Sequence, residues 1–308
     1  MTPRRNVANL RQQLLVRACV MMFAAGMTPN ALGQANAMTP DSTSGMKVIL
    51  WGARGLSIAQ IEHDRIKPTS VAPPRNLANI TDISAQSGRI DIVALEGGLQ
   101  SAPEFSLYQW VPRNNTMVKK AAVRGLVSAQ ISADGELGAL VICRSEGCDV
   151  EVRRLSSGDQ LAQWPRAVVR TAKVSWLVSG KSILFDGEDG WVKIASIADH
   201  MTANLTRGRA PAVSPEGADV AYVSGKEIRV RSLDSNQDRQ VYSGNLLSQK
   251  FIGRLHWSID GREIIANREA GSLGYDTECL VIDVNSGRAN SFKNGGLWCG
   301  PWVQIPSK

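Results

Sequence analysis

From residue 46 onward the chain repeats one short pattern: an apolar strand, a turn built from Ser, an acidic or polar residue and Gly, then a second apolar strand. The best-preserved copy is residues 210–223, Ala-Pro-Ala-Val-Ser-Pro-Glu-Gly-Ala-Asp-Val-Ala-Tyr-Val. An acid followed by Gly between two apolar runs is a turn signal, because Gly accepts a positive φ at no steric cost. Aligned on the residue before the turn, the copies fall at Ile83, Ile131, Trp176, Val213, Trp257 and Trp302, roughly 37 to 48 residues apart. Helical periodicity is nearly absent after residue 45, and short β-rich runs recur about every ten residues, bounded by Gly, Asp, Asn, Ser or Pro. A sandwich or barrel has no reason to repeat at this period, whereas a four-stranded propeller blade does.

The two ends of the pattern explain each other. The unit at Trp302 runs out after one strand, and Lys47–Trp51, Leu56–Glu62 and Ile66–Val71 are three strands without a first partner. One C-terminal strand plus three N-terminal strands make a complete blade and hide the sheet edges. The expected fold is therefore all-β, a six-bladed β-propeller over residues 46–308, with five or seven blades as the alternative counts.

Residues 1–37 have the form of a secretory signal peptide: Arg4, Arg5, Arg11 and Arg17, an apolar run from Ala18 to Met27, and an Ala-x-Ala site at 35–37. The run is too short for a stable span, which takes about 20 apolar residues, and a retained anchor helix is the competing reading. A short linker, 38–45, follows. The 308-residue chain carries 35 basic and 28 acidic residues, a net of +7. Four of the arginines lie in the leader, so removing it lowers the balance to +3. The alkaline pI is then poor evidence for nucleic acid.

An exported chain with an even number of remaining cysteines is expected to form disulfides. Cys143 with Cys148 would staple a hairpin, and Cys279 with Cys299 would close a longer loop. Metal ligation is the alternative, weakened because neither spacing is C-x-x-C and no His lies nearby.

The run from Asn204-Leu205-Thr206 through Gly208, Ala210-Pro211-Ala212-Val213-Ser214-Pro215-Glu216-Gly217 to Val220-Ala221-Tyr222-Val223-Ser224 resembles the TolB-type propeller repeat. Trp257-Ser258-Ile259-Asp260-Gly261 is similar, with Ile259 where that repeat has Pro. The resemblance covers the repeats of residues 46–308 and implies a periplasmic propeller. It does not extend to the separate α/β domain that precedes the propeller in TolB.

Signals for chemistry are sparse. There are three histidines, His63, His200 and His256, scattered along the chain, with no P-loop and no Gly-x-Ser-x-Gly elbow. No cofactor is expected. Asp186, Glu188 and Asp189 crowd one hairpin loop and form a weak candidate for a hard cation, set against an ordinary acidic turn. The tryptophans offer a sugar platform as a third reading, with core packing as the default.

Loop geometry gives the sharper lead, because connections on a rigid scaffold are where binding residues concentrate. In a four-stranded blade, the loops from strand two to three and from one blade to the next share a face. Long two-to-three connections are expected at Glu96–Glu104 and Asn267–Glu278, so Glu96, Glu104, Tyr275 and Asp276 form a candidate rim. On that face the inter-blade connections carry Lys119, Lys120, Arg124, Arg166, Arg170, Arg207, Arg209, Lys250 and Arg254. The expected function is a non-catalytic periplasmic scaffold whose basic channel mouth receives an acidic segment of another envelope or periplasmic protein. The alternatives are a propeller hydrolase or lactonase with a channel metal, and a carbohydrate-binding module.

Overall fold

A computed structural model describes residues 46–304, apart from 53–54, 63–64, 70–76, 78, 87, 97–103, 245–250, 271–275 and 294–296. The expected leader and linker lie outside the described residues. Every described element is a strand. The chain opens with β1 (Met46–Gly52), β2 (Gly55–Glu62) and β3 (Arg65–Pro68). Blade one is β4 (Ile80–Gln86), β5 (Arg89–Glu96), β6 (Glu104–Val111) and β7 (Thr116–Arg124). Blade two is β8 (Leu126–Ile131), β9 (Leu137–Arg144), β10 (Gly147–Arg154) and β11 (Gln160–Val168). Blade three is β12 (Val174–Trp176), β13 (Ser182–Asp186), β14 (Trp191–Ser196) and β15 (Thr202–Arg207). Blade four is β16 (Arg209–Val213), β17 (Asp219–Ser224), β18 (Glu227–Ser232) and β19 (Asp238–Ser243). Blade five is β20 (Phe251–Trp257), β21 (Glu263–Ala270), β22 (Asp276–Asp283) and β23 (Ala289–Lys293), and β24 (Trp298–Gln304) ends the series.

These strands form six four-stranded antiparallel sheets, and the sixth has the order β24-β1-β2-β3. Blade six thus takes its inner strand from the C-terminal end and its other three from the N-terminal end, as the unpaired strands require. The register runs from Met46 opposite Gln304 to Trp51 opposite Trp298.

The core explains why the second strands read as nearly continuous apolar runs. Alternate residues of a strand point to opposite faces, and here both faces are covered by a neighbouring blade. On β9, Ala139, Val141 and Cys143 pack with Val174, Trp176 and Ile183 of blade three. The intervening Leu140 and Ile142 pack with Val93 and Leu107 of blade one. Six such buried clusters fill the six blade interfaces. Each fully buried Val, Leu or Ile side chain contributes about 1.5–3 kcal/mol relative to exposure.

The repeated turn has one hydrogen-bond pattern. In blades two to five the N–H of Gly135, Gly180, Gly217 and Gly261 donates to the carbonyl three residues back, at 2.9–3.0 Å. All four glycines have positive φ, between 68° and 83°. The alignment is in register for these blades: Ile131, Trp176, Val213 and Trp257 sit opposite Gly138, Ile183, Val220 and Ile264. Blade one differs. Its hairpin closes with Gln86 opposite Arg89, and Ala85 sits opposite Ile90. The tighter turn makes Ala85, two residues beyond Ile83, the structural equivalent of the repeat position.

Two of the three tryptophans at that position, Trp176 and Trp257, latch blades together. Trp176 Nε1 donates to the Gln130 carbonyl of the preceding blade at 2.8 Å. Trp257 Nε1 donates to the corresponding carbonyl of Ala212 at 2.9 Å. Both disulfides form as paired from the sequence. Cys143 and Cys148 are cross-strand partners on β9 and β10, and Cys279 on β22 is joined to Cys299 on β24.

Candidate functional site

Counting from the corrected repeat position, the residue three places earlier is Asp82, Ser128, Lys173, Ala210, Arg254 and Cys299 in blades one to six. Side chains from blades one, two, three and five meet at this level, which only the ring axis allows. Asp82 accepts from Ser128 Oγ at 2.6 Å and from Arg254 Nη2 at 2.7 Å, and pairs with Lys173 Nζ at 3.0 Å. Arg254 Nη1 donates to the Val174 carbonyl at 2.6 Å. Burial pushes the Asp82 carboxyl up, but Arg254 and Lys173 together outweigh it and hold the group well below the usual carboxylate range. A cross-ring ion cluster therefore occupies the axis.

Other buried polar side chains tie neighbouring blades. Asp186, at the end of β13, accepts from the backbone N–H of Ala210 at 2.7 Å and of Lys173 at 3.3 Å. Asn267 is its counterpart on β21, accepting from the Cys299 N–H and donating to the Cys299 carbonyl, both at 2.7 Å. Asp91 accepts from the Ile131 N–H at 2.7 Å. Burial pushes Asp91 and Asp186 up to about 7. His256, buried on β20, is pushed down to about 3 by burial and by the Arg254 charge, so its ring is neutral.

The sequence-predicted residues separate into groups. Arg124, Arg166, Arg170, Arg207 and Arg209 are exposed on or beside the inter-blade connections. Arg207 lies over the Trp191 ring, 4.8 Å from its centroid, and Arg209 Nη2 donates to the Phe251 carbonyl at 2.6 Å. Arg254 is not on the open mouth: it is 5% exposed and engaged with Asp82. Lys119 and Lys120 stand within β7, opposite β6, because the connection to blade two shrinks to Gly125. Lys250 and Tyr275 lie outside the described residues. Glu96 and Glu104 are register partners at the end of the β5–β6 hairpin, and Glu104 is exposed. Asp276 pairs with Ala270, so most of the stretch expected as a 267–278 loop is paired ribbon instead.

The acidic hairpin of blade three does not gather its carboxylates. Asp186 is buried and turned to backbone N–H groups, while Asp189 pairs with Lys193 Nζ at 3.0 Å. Among the described residues no three His, Cys, Asp or Glu side chains converge as a metal site. The sequence reading missed Asp82, Ser128 and Lys173. The signal was present: aligning blade one on Ala85 places them in one column with Arg254.

No protein-family model and no curated protein sequence matches the chain. Among solved structures, TolB from Acinetobacter baumannii superposes with a TM-score of 0.64 at 12% identity, over 85% of this chain and 67% of that one. The β-propeller domain of Cps50 (Swd1) from Myceliophteria thermophila gives 0.47 at 10% identity, over 70% and 87%. The protein is a six-bladed β-propeller whose fold is similar to the TolB propeller.

Proposed function

We propose that the protein is an exported, periplasmic, non-catalytic scaffold whose basic connection face binds an acidic segment of another envelope protein. The observation that carries this reading is the arc of exposed arginines, Arg124, Arg166, Arg170, Arg207 and Arg209, along the connections between blades one and four. Like charges on a rigid surface steer and orient an oppositely charged partner more than they add affinity. The TolB-like fold and the two disulfides support an extracytoplasmic setting. The axial ion cluster supports binding at the face rather than passage through the ring, because Asp82, Lys173 and Arg254 fill the axis and engage one another there.

The test is site-specific crosslinking in cells from positions 124 and 170, with Glu216 on the opposite face as control. The captured protein is then purified and titrated against wild type and the Arg207→Glu/Arg209→Glu variant. The reading requires weaker, less salt-dependent binding by the variant. Unchanged affinity and salt dependence would refute it.

A further inference from the structure

Blade three carries the most fully built part of this face. Its β13–β14 hairpin is hydrogen-bonded to the connections on both sides: Glu188 N–H donates to the Ala167 carbonyl at 3.0 Å, and Gly208 N–H donates to the Gly190 carbonyl at 3.1 Å. The strand ends beside these connections each include a residue with a side chain in the left-handed region, Arg166 in β11 at φ 48° and Ala210 in β16 at φ 54°. That conformation costs roughly 1–2 kcal/mol for an L-residue and persists only where its surroundings impose it. Here two carboxylates impose it, Asp149 accepting from the Arg166 N–H at 2.8 Å and Asp186 from the Ala210 N–H at 2.7 Å. Gly208 allows the close approach: a Cβ there would lie 2.5 Å from Tyr222 and 2.7 Å from the Val223 carbonyl oxygen.

The surface held in this way combines charge with apolar area. Arg166, Arg170, Arg207 and Arg209 are exposed, against the two carboxylates Glu188 and Asp189, the second of which is ion-paired to Lys193. Trp191 is half-buried beneath the Arg207 guanidinium, its cross-strand partner. Val169, on the connection from blade two, is 44% exposed. Arginine and tryptophan are the side chains that most often dominate binding energy at protein interfaces.

We infer that the partner's acidic segment docks off the ring axis, on the blade-three sector formed by Arg166, Val169, Arg170, Trp191 and Arg207, and that it presents an aromatic side chain between its carboxylates. This inference rests on the basic-face reading above and narrows it to one sector and one kind of peptide. The aromatic side chain meets Val169 and the Trp191 edge, and the flanking carboxylates meet the arginines.

The experiment is fluorescence anisotropy with a short labelled peptide of glutamates around one tryptophan, and with its counterpart in which alanine replaces the tryptophan. It is run at low ionic strength, where exposed charges are least screened. Wild type binds the tryptophan peptide about tenfold more tightly, a difference of roughly 1.4 kcal/mol. Trp191→Ala and the surface substitution Val169→Asp each remove most of that preference. Arg170→Glu weakens both peptides more than Arg124→Glu, one connection further round the ring, and Arg262→Glu, exposed on the opposite face, leaves both within about twofold of wild type. Val169 is solvent-exposed, so its variant reports on the sector even if Trp191→Ala does not fold. Equal losses from Arg124→Glu and Arg170→Glu, or a wild type that does not distinguish the peptides, overturn the sector and leave the basic face standing. A wild type that binds neither peptide overturns both.

Discussion

Replacing Asp82 by Asn keeps the shape of the side chain and removes the charge that holds the axial cluster together. In the native protein Asp82 is paired with Arg254 at 2.7 Å and Lys173 at 3.0 Å, and the three side chains are 3%, 4% and 11% exposed. Removing one partner of a buried ion pair costs roughly 3–5 kcal/mol, because the remaining charge stays desolvated. Two cations share this carboxylate, so the upper end, about 5 kcal/mol, is expected. In a domain of this size 1 kcal/mol lowers Tm by about 2–4 °C, giving a fall of roughly 10–20 °C. Urea denaturation with both disulfides intact is the assay, read as a shift in midpoint at constant slope. The triple substitution Asp82→Leu/Lys173→Met/Arg254→Met should recover most of the loss, because an apolar replacement of a whole buried network is often neutral or stabilising. A single variant within about 1 kcal/mol of wild type would refute the reasoning, since the cluster would then be behaving as a solvent-screened surface pair.

Reduction of Cys279–Cys299, which closes a 20-residue separation, should lower stability by about 3 kcal/mol in the chain-entropy picture. Cys143→Ser/Cys148→Ser, across a separation of 5, should cost less; paired urea titrations decide the order. Trp257→Phe loses a hydrogen bond to the Ala212 carbonyl and should cost about 1 kcal/mol more than its lost packing. Trp302→Phe should lack that increment, because Trp302 Nε1 is buried without a partner. With folded pKa values of about 7, Asp91 and Asp186 retain protons between about pH 4 and 7 that the unfolded chain releases. Their contribution to stability therefore falls as pH rises through that window, and Asp91→Asn with Asp186→Asn should remove this trend. His256, at about 3 when folded, opposes them: the unfolded chain gains a proton as pH drops below about 6.5, stability falls, and His256→Gln should abolish that component in a pH series of urea midpoints.

The blade count was legible because each unit repeats a local instruction, a Gly-containing turn between strands of period two, that needs no distant partner. The closure was legible for the same reason, since three strands without a first and one without successors admit a single pairing. The axial cluster was hidden by distance along the chain: Asp82 and Arg254 are 172 residues apart, and only ring closure makes them neighbours. A two-residue difference in the blade-one turn also displaced Ile83 from the true repeat position and so hid the column containing Asp82. Composition could not separate Arg254 from the exposed arginines, because the strand that carries it to the axis begins only three residues earlier, at Phe251. Asp186 looked like one of three loop carboxylates, yet strand register turns it inward, towards the backbone of the next blade.

Because β24 pairs with β1, the sheet of blade six is encoded at opposite ends of the repeat series. A chain delivered from its N-terminus can complete blades one to five while β1, β2 and β3 still lack their inner strand. Until Trp298–Gln304 arrives, Val48, Leu50 and Ala59 lack the cover that Cys299 and Trp302 provide, and the nascent arc keeps two apolar faces open to aggregation. Cys299 travels on that same strand, so its bond to Cys279 forms only once the ring's last strand has arrived. The disulfide is therefore a record of ring closure. A chain terminated before residue 298 can oxidise Cys143 with Cys148 normally while leaving Cys279 as a free thiol, a chemical mark that separates open rings from closed ones.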